Sequence, residues 1–205
     1  MTHKERLKAM SPDEALKKLV DGNLRFINNH QVKRDYKQEM ASSVKAQHPH
    51  TLVLGCVDSR VPVEILFDQG IGNIFVSRVA GNIESKDVIA GMEYACEVVG
   101  SKLIMVLGHE NCGAVKATCD DVKLGHITGL VKKIKPALIK SSCKDEFSSK
   151  NAECVNKIAK TNVKLTIERI REKSPILNKL ETKGTIKIVG GYYNVSSGKV
   201  DLLET

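Results

Sequence analysis

Polar residues dominate the first fifty positions, and the apolar ones among them fall at helical spacing: Leu16, Leu19, Val20 and Leu24 recur three and four apart. Ser11-Pro12-Asp13-Glu14 supplies a helix start just ahead of that stripe. Ser11 can cap, Pro12 suits the first helical position, and Glu14 can reach back to the Ser11 backbone. A second, more polar helix is expected over about 35–47, ended by Pro49. Beyond residue 50 the period changes. Thr51–Gly55 is a short continuous apolar run, as in a strand buried on both faces, and similar runs follow at 74–79, 102–108 and 185–190. Helical patterns at about 86–99, 113–140 and 152–173 separate them, and 192–203 reads as a hairpin. Residues 141–151 are the most loop-like stretch. This order predicts an α/β fold with a mainly parallel central β-sheet, about four parallel strands plus an antiparallel edge strand, flanked by helices and preceded by an N-terminal helical arm. The 205 residues suit a single domain, with the arm over 1–48 and the α/β core over 49–205.

Composition narrows the function. At 41% hydrophobic and 27% charged the chain builds a core and is not a disordered tail. Aromatics are 4% with no Trp, which argues against base-stacking platforms for single-stranded nucleic acid. No run of apolar residues is long enough to span a membrane. The charged N-terminus does not resemble a signal peptide, so a cytoplasmic protein is expected, or a periplasmic one if a leader has been removed. The net charge of +8 is uneven: ten Lys/Arg against six Asp/Glu over 1–50, six against ten over 51–130, and sixteen against eight over 131–205. The basic last third reads as solvated helix faces rather than a nucleic-acid patch.

Candidate chemistry sits at two strand ends. The Thr51–Gly55 run leads into Cys56-Val57-Asp58-Ser59-Arg60, and the 102–108 run into His109-Glu110-Asn111-Cys112-Gly113. Ligands bind beyond the carboxyl ends of parallel strands. If these two strands are neighbours, Cys56, His109 and Cys112 converge. Two thiolates and one imidazole suit Zn²⁺, and three protein ligands leave the fourth position that a catalytic zinc keeps open. Cys112 stands where a helix should begin, which favours a thiolate, and Gly113 would let backbone approach the metal. Asp58 could bind the metal as a fourth ligand, pair with Arg60, or accept a hydrogen bond from water. On spacing alone a metal site and a pair of core thiols remain equal readings. Cys96 reads as a buried small hydrophobe. Cys119, Cys143 and Cys154 lie in polar stretches, with a Cys143–Cys154 disulfide open to an oxidising compartment. His3, His30, His48, His50 and His126 read as solvated or loop residues.

The segments Cys56-Val-Asp-Ser-Arg60-Val-Pro62, Phe67–Asn82 and Gly108-His-Glu-Asn-Cys-Gly-Ala-Val-Lys116 closely resemble the β-class carbonic anhydrases. The likeness runs from Ser11-Pro-Asp-Glu-Ala15 and Gly22-Asn-Leu-Arg-Phe26 to Val189-Gly-Gly-Tyr-Tyr193. It implies one zinc per chain on Cys56, His109 and Cys112. It implies a dyad of Asp58 and Arg60, in which Arg60 holds Asp58 off the metal in the active state and Asp58 closes the site otherwise. It implies a substrate pocket with Gln47, Phe75, Tyr94 and Gly113. The activity implied is reversible hydration of CO2 to bicarbonate and a proton by attack of zinc-bound hydroxide, in a homodimer or dimer-based tetramer whose sites lie at subunit interfaces and whose N-terminal helices wrap over the partner. Arg78 matches an arginine of the inhibitory bicarbonate pocket found in some family members, but Val53 replaces the tryptophan of that pocket. The other readings are a CS2 or COS hydrolase on the same zinc, a non-catalytic zinc-stabilised module, and a thiol redox protein using Cys56 and Cys112, which lacks a C-x-x-C motif.

Overall fold

The structure is a computed structural model and describes residues 3–143 and 147–204. Three helices come first: α1 (His3–Ala9), α2 (Pro12–Ile27) and α3 (Tyr36–Ser43). The expected capping box opens α2, with the Glu14 N–H donating to Ser11 Oγ at 3.2 Å and the Ser11 N–H to Glu14 Oε2 at 2.7 Å. Helix α2 is seated on its own chain through Ala15, Leu19, Gly22 and Asn23. The Asn23 amide there donates to the Leu66 and Gly198 carbonyls and accepts from Val200 N–H. Leu24, at the far side of the expected stripe, is exposed.

Five strands follow: β1 (Thr51–Gly55), β2 (Ile74–Arg78), β3 (Leu103–His109), β4 (Lys187–Tyr193) and β5 (Val200–Leu203). They form one sheet in the order β2-β1-β3-β4-β5, with every pairing parallel except β4 with β5. The expected sheet is therefore borne out. Side chains alternate across it. Leu52, Leu54, Ile104 and Val106 meet one core beneath α5 (Lys86–Glu93), α8 (Ala152–Lys173) and α9 (Pro175–Thr182). Val53, Leu103, Met105 and Leu107 meet the other, against α2 and the short α4 (Val63–Leu66).

Several boundaries differ from expectation. The stretch read as one helix over 113–140 is two, α6 (Gly113–Cys119) and α7 (Ile127–Lys140), because Asp121 and Gly125 take positive φ between them. Helix α5 passes into a π-helical turn, Tyr94–Val99, stopped by Gly100 at φ 93°. Cys119, Cys143 and Cys154, expected in polar surroundings, are buried in one core cluster, and Cys143 and Cys154 form a disulfide. Cys96 is buried as expected. His50, expected as a loop residue, is also buried, held between Thr51 Oγ1 at 2.7 Å and Gln69 Oε1 at 3.2 Å. Burial lowers its pKa to about 4. Among the described residues no helix is long and apolar enough to cross a membrane.

Candidate metal centre

Strands β1 and β3 are parallel neighbours, with Leu54 opposite Val106, so the chain leaves both at the same edge of the sheet. Cys56 follows β1 directly, His109 ends β3, and Cys112 caps α6 three residues later. All three are buried, and their ligand atoms lie within 4.8 Å of one another. The approach of α8 to this corner depends on Gly108. A Cβ there would stand 2.6 Å from Val163 Cγ2 on α8.

The imidazole is oriented for ligation. His109 Nδ1 is 2.9 Å from the Glu110 carbonyl, which can only accept, so Nδ1 carries the proton. The lone pair is then on Nε2, which is buried and meets no hydrogen-bond partner. An orphaned buried nitrogen facing two cysteine sulfurs is the donor set of a thiophilic divalent ion, and zinc fits it. The two thiols are linked. The contact with Cys112 holds Cys56 well below the ordinary thiol range, while that contact and burial push Cys112 well above it. The pair thus keeps one proton, which a divalent ion would displace.

Asp58 stands beside this set, with Oδ2 3.9 Å from His109 Nε2. Its carboxylate is turned to Arg60: Nε reaches Oδ1 at 2.9 Å, a terminal nitrogen reaches Oδ2 at 2.8 Å, and the Arg60 N–H donates to Oδ1 at 3.0 Å. This fork holds the Asp58 carboxyl well below the usual carboxylate range. Arg78, at the end of β2, fixes the same turn from behind. It donates through Nε to the Cys56 carbonyl at 2.8 Å and through a terminal nitrogen to the Asp58 carbonyl at 2.5 Å. Val53, which stands where the tryptophan of that inhibitory pocket would be, is buried within β1.

Other expected residues lie elsewhere. Phe75 and Tyr94 form an edge-to-face pair with centroids 6.2 Å apart. Phe75 is level with Leu52, four residues before Cys56, or roughly 13 Å along the strand. Gln47 is exposed beyond α3. One chain therefore does not bring Phe75 and its ring partner Tyr94 to the cysteines. Gly113 opens α6 directly after Cys112. A Cβ on it would meet nothing within 4 Å, and the unusual backbone of this turn is at Asn111, φ 54°. The Asn111 N–H donates to Asn156 Oδ1 on α8 at 3.1 Å. Sequence reading passed over Asn156, Asn162 and Gly81. Asn162 carried a signal, being a polar residue within the apolar stripe of α8 that holds Val155, Ile158, Ala159 and Val163.

A mostly parallel α/β sheet with a Cys-His-Cys cluster beyond adjacent strand ends defines a metal-dependent class of protein rather than a thiol redox one. Comparison with known proteins makes the assignment specific. The carbonic anhydrase family model matches residues 51–200. The carbonic anhydrase of Mycolicibacterium smegmatis is 37% identical over 203 residues, covering 94% of this chain and 93% of that one. Carbonic anhydrase 2 of Mycobacterium tuberculosis is 32% identical over 198 residues, with the same coverage. The Coccomyxa β-carbonic anhydrase in complex with acetazolamide superposes with a TM-score of 0.71 at 28% identity, over 82% of this chain and 77% of that one. One of two tetrameric β-carbonic anhydrases of Sordaria macrospora shares the fold at a TM-score of 0.71 and 24% identity, over 83% and 90% of the two chains. The chain belongs to the carbonic anhydrase family, in its β class.

Proposed function

We propose that this chain hydrates CO2 reversibly to bicarbonate and a proton, with one Zn²⁺ held by Cys56, His109 and Cys112. The observation that carries the reading is the buried, partnerless His109 Nε2 facing two cysteines within 4.8 Å. When bound, zinc supplies Lewis acidity, lowering the pKa of a water from about 15.7 to about 7. The protein's own groups supply the rest. Asp58, ionised and fixed by Arg60, accepts a hydrogen bond from the nucleophilic water and turns its lone pair toward the carbon of CO2. Arg60 acts on Asp58 alone, keeping its carboxylate off the ligand set. The water oxygen bonds to carbon, bicarbonate departs, and the proton passes to buffer.

The apolar side of the site comes from a second copy of the chain. Phe75 and Tyr94 stand away from their own cysteines, and Gln47 is exposed. Tyr94, Val98, Ile65 and Ile71 are apolar side chains left exposed on the single chain. A homodimer, alone or paired into a tetramer, covers that surface and completes the pocket, and tetramers are described for the Sordaria macrospora enzymes. Elemental analysis of purified protein should give close to one zinc per chain, and stopped-flow assay should show CO2 hydration. Cys112→Ser should lose most of both. Full zinc retention in that variant overturns the ligand assignment.

A further inference from the structure

Asn162 is 1% exposed on the face of α8 that packs against the sheet. A buried amide costs free energy unless it is hydrogen-bonded. Its Nδ2 donates to the Gly81 carbonyl at 2.8 Å. The amide's orientation follows from chemistry, since a carbonyl oxygen needs a donor. Gly81 is buried in a tight turn, Ala80–Asn82, at φ 70°. A Cβ there would stand 2.6 Å from Ile134 Cδ1 and 3.2 Å from Ala114 Cβ, so the position excludes a side chain as well as requiring a left-handed backbone. The Gly81 N–H in turn donates to Cys56 Sγ at 3.4 Å. Helix α8 thereby reaches a ligand sulfur through one peptide segment. A thiolate that accepts an N–H bond passes less charge to a metal. A centre with two thiolates, which donate more than imidazoles, needs that restraint to remain a strong Lewis acid.

We propose that Asn162 is a positioning residue for the metal: by holding the Gly81 carbonyl it aims the Gly81 N–H at Cys56 Sγ and limits the charge that this thiolate donates. The inference rests on the reading of Cys56, His109 and Cys112 as the ligand set. The test uses the full chain loaded with Co²⁺, following the thiolate-to-cobalt charge-transfer band, and a chelator competition for the zinc Kd. Asn162→Asp keeps the shape and replaces the donor by an oxygen, and Asn162→Leu is a second isostere should the first not fold. Thr166→Val, which removes another buried polar group from α8, is the control. Either Asn162 variant should move the band to lower energy and weaken zinc binding about tenfold, while the control leaves both in place. A wild-type band and Kd in the Asn162 variants would overturn the proposal. So would a weakened Kd with an unmoved band, which marks packing alone, or a band moved equally by Thr166→Val. A wild-type protein with no thiolate band at all would instead remove the metal reading on which the proposal stands.

Discussion

Arg60 and Asp58 show how one exposed side chain can govern a half-buried one. The guanidinium contacts both carboxylate oxygens, a geometry that Lys cannot reproduce. Arg60→Ala should keep its zinc and lose CO2 hydration by about 10²-fold or more, with Arg60→Lys in between. Wild-type rates in Arg60→Ala would leave the dyad without a role. The lowered pKa of Asp58 also keeps it ionised throughout the neutral and alkaline range, so a rise of activity between about pH 7 and 8.5 does not come from this carboxyl. His50 makes a prediction about stability. Its folded pKa, about 4, lies below the ordinary 6.5, so the folded state prefers the neutral ring and the unfolded chain binds the proton first. The stabilisation is complete above pH 6.5 and is lost as pH falls toward 4. Between pH 7 and 5 the loss is about 2 kcal/mol. Urea unfolding at the two pH values should show it, and His50→Gln should remove that part of the difference. An unchanged difference in the variant would mean that His50 titrates normally. These residue-scale features were unevenly legible. The C-x-D-x-R and H-x-x-C spacings alone leave a metal site and a pair of core thiols as equal readings, and it is the surrounding motifs, by their resemblance, that point to the chemistry. The burial of His50 is invisible in a His-Pro-His sequence, because it depends on Gln69 arriving from nineteen residues away.

At the scale of elements, long periodic segments were readable and short ones were not. Strands β1 and β3 are continuous apolar runs buried at every position, as a sheet covered on both faces requires. Helix α9 was missed although Ser174-Pro175 carries a start signal like that of α2, with Ser174 Oγ accepting from Leu177 N–H at 3.2 Å. Strand β4 runs on to Tyr193 past Gly190 and Gly191, because pairing with β3 and β5 outweighs the weak strand preference of glycine. The Cys143–Cys154 disulfide could be raised from sequence but not settled, since it requires the end of α7 and the first turn of α8 to meet. It closes a loop of 11 residues. Chain-entropy arithmetic for that length gives about 3 kcal/mol. Denaturation with and without a phosphine reductant should differ by about that amount, and Cys154→Ser should make the protein indifferent to the reductant. Equal midpoints in the wild type would show that the bridge adds no stability.

At the scale of the whole molecule, the chain separates two sets of residues that the proposed reaction brings together. The ligands and the Asp58–Arg60 pair gather beyond the carboxyl ends of β1 and β3. Phe75, on the outer strand β2 and level with Leu52 near the start of β1, pairs edge to face with Tyr94. Sequence alone could not show this separation, because it is the register of β2 against β1 that parts Phe75 from the ligands. If a second copy supplies the apolar half, each site takes its metal ligands from one protomer and its pocket from the other. Two inactive variants can then rescue each other. Cys112→Ser removes the ligands' side of a site, and Phe75→Ala with Tyr94→Ala removes the pocket's side. Each variant alone forms dimers in which both sites are broken. In a mixed dimer, one site combines both defects and the other has neither. Coexpression with different affinity tags, followed by tandem purification of the mixed species, should recover about half of the wild-type activity per dimer. Activity no higher than that of the homodimers would place both halves of the site in one chain and refute the shared-site dimer. Two-tag material failing to form at all, with the wild type sedimenting as a monomer, would refute it at the level of assembly.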